Sequence, residues 1–272
     1  MIDHLEGTDL HNEIRLLLSS GSKKIVVVEG EDDYDLLLEA FETVGVEIVP
    51  GYGKPKTLDA ANEAAREGTE AARFLLDADY DRLLGADASY PHNVVATEHY
   101  DLAMDVVAQF PVVPRIVRLA SGGAGAAALT VEEQVDVAFG IAEDFGRIRY
   151  ASFSQSWGLN FDGFPFHMFI PATAGDSVDV RSAISLLIAR TKQCSHDPEH
   201  LCGSTAKAAE VVMSPRHLVN GHDLLDILLC VGTKFGGAKS NTGYETQFVL
   251  AAAGHVAEVP VVAHLIQWAK AA

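Results

Sequence analysis

Residues 26–33 read VVVEGEDD and residues 74–81 read FLLDADYD. In each stretch an uninterrupted apolar run ends at an acidic residue, Glu29 in the first and Asp77 in the second. A continuous apolar run bounded by turn residues is typical of a strand buried on both faces of a parallel sheet. The two stretches therefore predict two buried strands, each followed directly by a carboxylate.

The rest of the first half alternates between strand and helix patterns. Strands are predicted over 24–28, 46–49, 72–76 and 94–96, and helices over 9–18, 31–41, 57–67 and 99–109. This alternation predicts an α/β protein, with a parallel sheet and helices on both of its faces. Ligands of such sheets bind beyond the carboxyl ends of the strands. We therefore expect Glu29, residues 51–56, residues 77–81 and Thr97 to meet at one edge.

The second half is predicted to be mainly α-helical. Prolines and a glycine-rich tract between residues 111 and 128 place the boundary there, which gives a metal-binding domain over 1–112 and a helical subdomain over 113–272. Helices are predicted over 131–145, 180–191, 205–213, 221–233 and 246–253. A β-hairpin is expected across 147–170.

Composition limits the class of protein. Hydrophobic residues make up 48% of the 272 residues, which is enough to build a core, and no apolar run is long enough to cross a bilayer core of roughly 30 Å. Three cysteines and a polar, charged start predict a cytoplasmic protein with no membrane association. The net charge of −18 disfavours nonspecific wrapping of nucleic acid, but a metal-dependent phosphoester site is itself acidic.

Asp77, Asp79 and Asp81 alternate at the end of the second stretch. Alternating side chains at a strand end point to one side of the backbone and can share a cation. Because Mg²⁺ prefers oxygen ligands, two or three carboxylates and a substrate phosphate would complete its shell. The expected cofactor is therefore Mg²⁺ or Mn²⁺. The alternative is that these carboxylates are ordinary surface charges, as we expect Asp35 and Glu39 to be.

The order strand-Glu-Gly and then strand-Asp-x-Asp resembles the TOPRIM fold of topoisomerases, primases and OLD-family nucleases. The chain also resembles the TOPRIM-like family catalogued as domain of unknown function 4435, which occurs beside ABC-type ATPases in bacterial antiviral systems. The matching segments are EGEDD from Glu29, DAD from Asp77, TEHYDL from Thr97 and NGHDLLDIL from Asn220. One departure is Ala103, where the resemblance implies an acidic residue, and this puts a metal role for that segment in doubt.

The resemblance implies roles for individual residues. Glu29 would be the general base or a metal ligand, and Asp77 and Asp79 would hold the metal. Asp33 and Asp81 are candidate further ligands. Lys54 and Lys56, after the second strand, are candidates for binding the scissile phosphate; ordinary solvated lysines are the alternative.

Three further segments attract attention. Cys194, His196, His200 and Cys202 have zinc-binding side chains, but their spacing matches no closed site, and the segment is expected to be a loop. His222 can contact a phosphate, although a helix cap by Asn220 or Asp223 is the simpler interpretation. The stretch GTKFGGAKS, residues 232–240, lacks the strand and lysine spacing of a P-loop and is expected to be a basic loop.

The leading hypothesis is a metal-dependent nuclease that cleaves RNA or DNA, with tRNA among the candidates. The resemblance implies an antiphage-defence effector controlled by an ABC- or OLD-type ATPase partner, and we also expect a homo-oligomer. The alternatives are an inactive TOPRIM-like regulatory module and a phosphoesterase acting on small nucleotides.

Overall fold

The computed structural model describes residues 7–21, 23–120, 128–192, 197–208, 214–238 and 243–271. The chain forms two compact units: Met1–Phe110 together with Val249–Ala272, and Pro111–Phe248. None of the helices in these described ranges has both the length and the apolar character that a membrane span requires.

The elements of the first half alternate as the sequence predicts. They are α1 (Gly7–Ser20), β1 (Ile25–Val28), α2 (Glu31–Glu42), β2 (Glu47–Pro50), α3 (Lys54–Glu67), β3 (Ala72–Leu76), α4 (Asp81–Leu84), β4 (Val94–Ala96) and α5 (Leu102–Gln109). The helices that follow are α6 (Val112–Ala120), α7 (Val131–Ser154), α8 (Val180–Arg190), α9 (Pro198–Ala208), α10 (Gly221–Phe235), α11 (Tyr244–Ala252) and α12 (Pro260–Lys270).

The four strands form one parallel sheet in the order β2-β1-β3-β4. Val26 of β1 pairs with Ile48 of β2 and with Arg73 of β3, so β1 and β3 are central neighbours. All four predicted strands are confirmed, and with them the coarse α/β class. Because β1 and β3 are adjacent and parallel, the residues that follow them emerge side by side.

Both faces of the sheet are covered. Ile25 and Val27 face α1 and α3 in a cluster that also contains Ile14. Val26 and Val28 point to the opposite face by strand alternation, and they are equally inaccessible to solvent. The continuous apolar run in β1 is therefore explained by burial on two sides.

The C-terminal helix α12 packs with the first unit. The Trp268 ring lies 5.0 Å from the Lys24 ammonium and 5.0 Å from the Arg73 guanidinium, and Lys24 also donates to the Trp268 carbonyl at 2.6 Å. Aromatic rings attract cations over their faces. Residues 249–271 thus belong with the sheet, whereas the division drawn from sequence ends the first domain at residue 112.

The second unit is helical and contains a phenylalanine cluster. Phe145 of α7 makes edge-on contacts with Phe164 and Phe166, at 5.3 Å and 4.9 Å between ring centroids. The prediction of a β-hairpin across 147–170 is wrong, because α7 continues to Ser154 and Phe166–Phe169 is a 3₁₀ turn. The aromatic residues of this segment pack around α7 instead of pairing as strands.

Two loop predictions in this unit are also wrong in part. His200 and Cys202 lie on α9, which begins at Pro198. The Leu201 amide donates to the main-chain carbonyl of Asp197 at 3.2 Å in its first turn. Residues 232–235 form the end of α10, which closes with the Gly236 amide donating to the Gly232 carbonyl. Cys194, His196, residues 209–213 and residues 239–242 lie outside the described residues.

Candidate metal centre

Glu29 follows β1 at the carboxyl edge of the sheet, in a loop fixed by main-chain contacts. The Gly51 amide donates to the Val28 carbonyl at 2.7 Å, and the Gly53 amide donates to the Glu29 carbonyl at 2.9 Å. A side chain at Gly51 would come within 1.9 Å of the Thr57 hydroxyl oxygen, so this close approach requires glycine. The loop after β2 is thereby tied to the end of β1.

The loop after β3 carries the second acidic group and is tied to the segment after β4. The Ala78 amide donates to the Thr97 hydroxyl at 2.8 Å, and the Asp79 amide donates to the Tyr100 carbonyl at 2.7 Å. Asp79 has a left-handed backbone, with φ of 46°, which is uncommon for a residue with a side chain. These contacts fix the backbone of residues 77–79.

Glu29 and Asp77 are brought together at this edge. The Asp77 amide lies 3.4 Å from a Glu29 carboxylate oxygen, and the Leu102 amide donates to the Asp77 carboxylate at 3.2 Å. The two residues are 48 positions apart in sequence, so their proximity depends on β1 and β3 being neighbours.

Negative charge is concentrated around this pair. Burial, then the charge of Asp79, raises the pKa of Glu29 to about 7, against the opposing effect of Lys54. Burial, then the charges of Asp33 and Asp101, raises the pKa of Asp77 well above its ordinary value. Buried carboxyl groups favour the protonated form, and neighbouring negative charges have the same effect. Lys54 offsets this only in part for Glu29.

Lys54, the first residue of α3, provides the positive charge that is present. Its ammonium lies 2.8 Å from Asp79 Oδ2, 2.7 Å from Asp81 Oδ2 and 2.7 Å from the Asp77 carbonyl oxygen. Burial opposes the charged form most strongly, but the charge of Asp79 and the hydrogen bonds to Asp79 and Asp81 together outweigh it and raise the pKa of Lys54. The sequence placed Lys54 near the site as a phosphate ligand, and the structure places it against carboxylates.

The remaining predicted site residues divide into two groups. Asp33, in the first turn of α2, is close enough for its charge to raise the pKa of Asp77. Asp81, at the start of α4, contacts Lys54, which in turn contacts the Asp77 carbonyl oxygen. Lys56 lines a surface groove with Asp59 and Glu63 on α3. The structure therefore assembles the predicted acidic residues and leaves Lys56 beside other charges.

Two buried carboxylates follow β4: Asp101, in the segment whose metal role the sequence left in doubt, and Asp105, which sequence reasoning missed. Asp101 caps α5 by accepting from the Met104 amide at 2.8 Å, and its charge contributes to the raised pKa of Asp77. Asp105 is only 1% exposed and accepts from the His99 amide at 2.7 Å and from the His99 ring at 2.8 Å. Asp101 and Asp105 are four residues apart at the start of α5, and this spacing was the sequence signal that could have indicated them.

The carboxylate oxygens at this edge of the sheet fit a divalent cation, provided that Lys54 moves away from them. Glu29, Asp77 and Asp79 offer oxygen atoms, the ligands that Mg²⁺ and Mn²⁺ prefer, and, in addition to burial, the charge of Asp79 raises the pKa of both other carboxyl groups. Across the ranges described, however, no three His, Cys, Asp or Glu side chains already surround a common point suited to a metal ion. Because Lys54 contacts both Asp79 and Asp81, it takes the position of a cation and would have to withdraw.

The raised pKa of Glu29 predicts a pH dependence of folding. This pKa of about 7 lies above the ordinary glutamate value of 4.5, so in this pH range the folded protein retains a proton that the unfolded chain releases. The free energy of unfolding of the metal-free protein should therefore fall by about 3 kcal/mol or less as pH rises from 4.5 to 7. Urea denaturation in a chelating buffer at pH 5 and pH 8 measures this.

The matched variants for that experiment are Glu29→Gln and Glu39→Gln, the second being exposed on α2. The free energy of unfolding of Glu29→Gln minus that of the unsubstituted protein should be larger at pH 8 than at pH 5. For Glu39→Gln this difference should be the same at both pH values. Identical pH profiles for Glu29→Gln and the unsubstituted protein would contradict the assigned environment.

The segment from Asn220 is a capped helix start. Asn220 accepts from the Asp223 amide at 2.9 Å, which confirms the capping interpretation. Asp223 forms a two-pronged ion pair with Arg149 of α7, and His222 lies 3.8 Å from Glu245. The conspicuous sequence NGHDLL is therefore accounted for by a cap and an interhelical ion pair.

Comparison with known proteins gives no family assignment. No family model matches the chain, and no curated protein matches it significantly.

Proposed function

We propose that the chain is a metal-dependent nuclease of the TOPRIM type, which hydrolyses phosphodiester bonds with Mg²⁺ or Mn²⁺. The observation that carries the proposal is the meeting of Glu29 and Asp77 at the ends of adjacent parallel strands. Further support comes from the clustering of buried carboxyl groups, whose pKa values are raised by burial and by one another's charges. Divalent cations supply positive charge to such a cluster, and phosphoester chemistry is their common use.

In this proposal each residue has a specific task. Asp77 and Asp79 would hold the metal, with Asp33 and Asp81 at its periphery, and the bound cation would supply Lewis acidity toward the attacking and leaving oxygens. Glu29, whose carboxylate lies 3.4 Å from the Asp77 amide, would accept a proton from water beside the metal. Lys54 can pair with a phosphate oxygen once it leaves Asp79.

The substrate and partner are parts of the same proposal. The net charge of −18 favours a short or single-stranded contact with RNA or DNA over extended electrostatic binding of a duplex. A basic partner surface would relieve this repulsion, which is consistent with the expected ATPase partner and its control of cleavage in antiphage defence. Co-purification from the native cell with a tagged chain tests for that partner.

The direct test is cleavage of a nucleic-acid pool. Purified protein is incubated with tRNA, single-stranded DNA and duplex DNA in Mn²⁺ or Mg²⁺, with chelator in parallel. We expect metal-dependent cleavage that Glu29→Gln reduces at least a hundredfold, since a lost general base costs about 10²–10⁴ in rate. Glu39→Gln should cleave normally, and cleavage retained by Glu29→Gln would refute the role of Glu29.

A second candidate is an inactive TOPRIM-like module that binds partners. The contacts of Lys54 with Asp79 and Asp81 favour it, because an internal ammonium can replace the metal permanently. A protein of this kind would bind neither Mn²⁺ nor Mg²⁺ and would cleave nothing, alone or with its partner. A phosphoesterase for small nucleotides would instead bind metal and spare long nucleic acids, and a mixture of nucleoside and cyclic phosphates distinguishes it.

A further inference from the structure

The Lys54 ammonium is fully engaged by oxygen atoms inside the acidic site. It contacts one oxygen each of Asp79 and Asp81 and the carbonyl oxygen of Asp77, all within 2.8 Å. Its side chain is only 16% exposed. An ammonium has three donors, and these three oxygen atoms match that number. Lys54 therefore lies in a built oxygen cage of the kind that binds cations.

The backbone on both sides of this contact adopts uncommon conformations. In the described ranges only three residues other than glycine have positive φ, and two of them, Tyr52 and Asp79, lie next to or in the contact. Such conformations cost about 1–3 kcal/mol each and persist where the surroundings require them. The uncommon backbone conformations of Tyr52 and Asp79 therefore occur in the two segments that meet at the Lys54–Asp79 contact.

A neighbouring tyrosine holds the other carboxylate in place. The Tyr90 hydroxyl donates to Asp81 at 2.5 Å, and its ring lies 5.9 Å from the Lys54 ammonium. Asp81 therefore has a second hydrogen-bond partner besides Lys54.

We propose that Lys54 is a resident counter-ion that exchanges with the divalent metal: its ammonium occupies the Asp79–Asp81 cage in the metal-free protein and leaves when the metal binds. This inference rests on the proposed metal site. A divalent cation held by Asp77 and Asp79 would lie close to the ammonium that contacts Asp79, and like charges at that distance repel strongly. Lys54 and metal therefore compete, and the released ammonium becomes available to a substrate phosphate.

The first test is metal affinity, measured as Mn²⁺ binding by electron paramagnetic resonance or calorimetry. Lys54→Met should bind Mn²⁺ on the order of tenfold more tightly than the unsubstituted protein, a typical coupling between competing events. Lys56→Met is the matched control, because it removes the same charge two residues away on α3. It should change affinity much less, and Lys54→Arg should bind no more tightly than the unsubstituted protein.

The second test is thermal stability with and without saturating Mn²⁺. Without metal, Lys54→Met leaves two carboxylates unpaired and should lower the melting temperature. With Mn²⁺ the difference from the unsubstituted protein should largely vanish, because Lys54 no longer occupies the cage in either protein. A merely structural ion pair would give the same deficit in both conditions.

The outcomes separate this inference from the proposed function. If the unsubstituted protein binds Mn²⁺ and Lys54→Met binds it equally or more weakly, the exchange is refuted and the metal site stands. If only Lys54→Met binds Mn²⁺, Lys54 occupies the site permanently in the native chain, so the exchange is refuted and the inactive module is favoured. If neither binds Mn²⁺, both the metal site and the exchange are refuted.

Discussion

Asp77→Asn is expected to abolish nucleic-acid cleavage while making the metal-free protein more stable. Asparagine has nearly the same shape and can still accept from the Leu102 amide, but it removes a charge that burial and several neighbouring carboxylates disfavour. The gain should appear at pH 8 as a higher melting temperature than that of the unsubstituted protein. Catalysis should fall at least about a hundredfold, because a metal contributes several kcal/mol to charge stabilisation.

The measurements for Asp77→Asn are cleavage in Mn²⁺ and thermal unfolding in chelator. Asp35→Asn, an exposed change on α2, is the matched control and should leave both cleavage and melting temperature unchanged. The opposite signs of the two effects are diagnostic, since a residue needed only for folding would lose activity and stability together. A variant that is both less stable and inactive would contradict the assignment of Asp77 to a metal site.

Arg149→Met is expected to destabilise the second unit by about 3 kcal/mol. The Arg149 guanidinium meets both carboxylate oxygens of Asp223, at 2.8 Å and 2.6 Å, and lies 4.1 Å from the Phe161 ring. Removing it leaves the Asp223 carboxylate buried without its cation, which costs more than the pair contributes. Chemical denaturation followed by a probe in the second unit measures the loss.

The pH dependence of the stability loss in Arg149→Met, and the effect of adding Asp223→Asn, identify the unpaired Asp223 carboxylate as its cause. Burial already raises the pKa of Asp223 against the opposing charge of Arg149, so without Arg149 the pKa rises further. The deficit of Arg149→Met should then be larger at pH 8 than at pH 5, and adding Asp223→Asn should recover part of it. Arg118→Met, which breaks the exposed pair with Glu132, should stay within about 0.5 kcal/mol; an equal loss there would contradict the assigned role of burial.

The sheet and the location of its acidic edge could be predicted because their signals are local. Each strand is a short apolar run, and Glu29 and Asp77 directly follow two of these runs. The rule that parallel strands end at one edge then places both carboxylates together without any knowledge of contacts. The hairpin prediction across 147–170 was wrong because spaced aromatic residues are compatible with strands and with packing against a helix.

The partners of individual side chains could not be predicted. Lys54 was expected to bind a phosphate or to be an ordinary solvated lysine. Its contact with Asp79 accompanies left-handed backbone at Tyr52 and Asp79, which the residue types do not predict. Asp101 belongs to the TEHYDL segment, whose metal role Ala103 put in doubt, and its proximity to Asp77 depends on β4 lying next to β3. Such contacts arise between segments that are distant in the chain.

The sequence by itself determined the α/β class, the parallel sheet and the edge at which Glu29 and Asp77 lie, because hydrophobic periodicity and strand ends are encoded within a few neighbouring residues. Only the tertiary structure decided which strands are adjacent, that α12 packs with the sheet, and that Lys54 occupies the acidic cage. The physical reason is that these features are electrostatic and packing contacts across long sequence separations, and their energies depend on burial that exists only after the chain has folded.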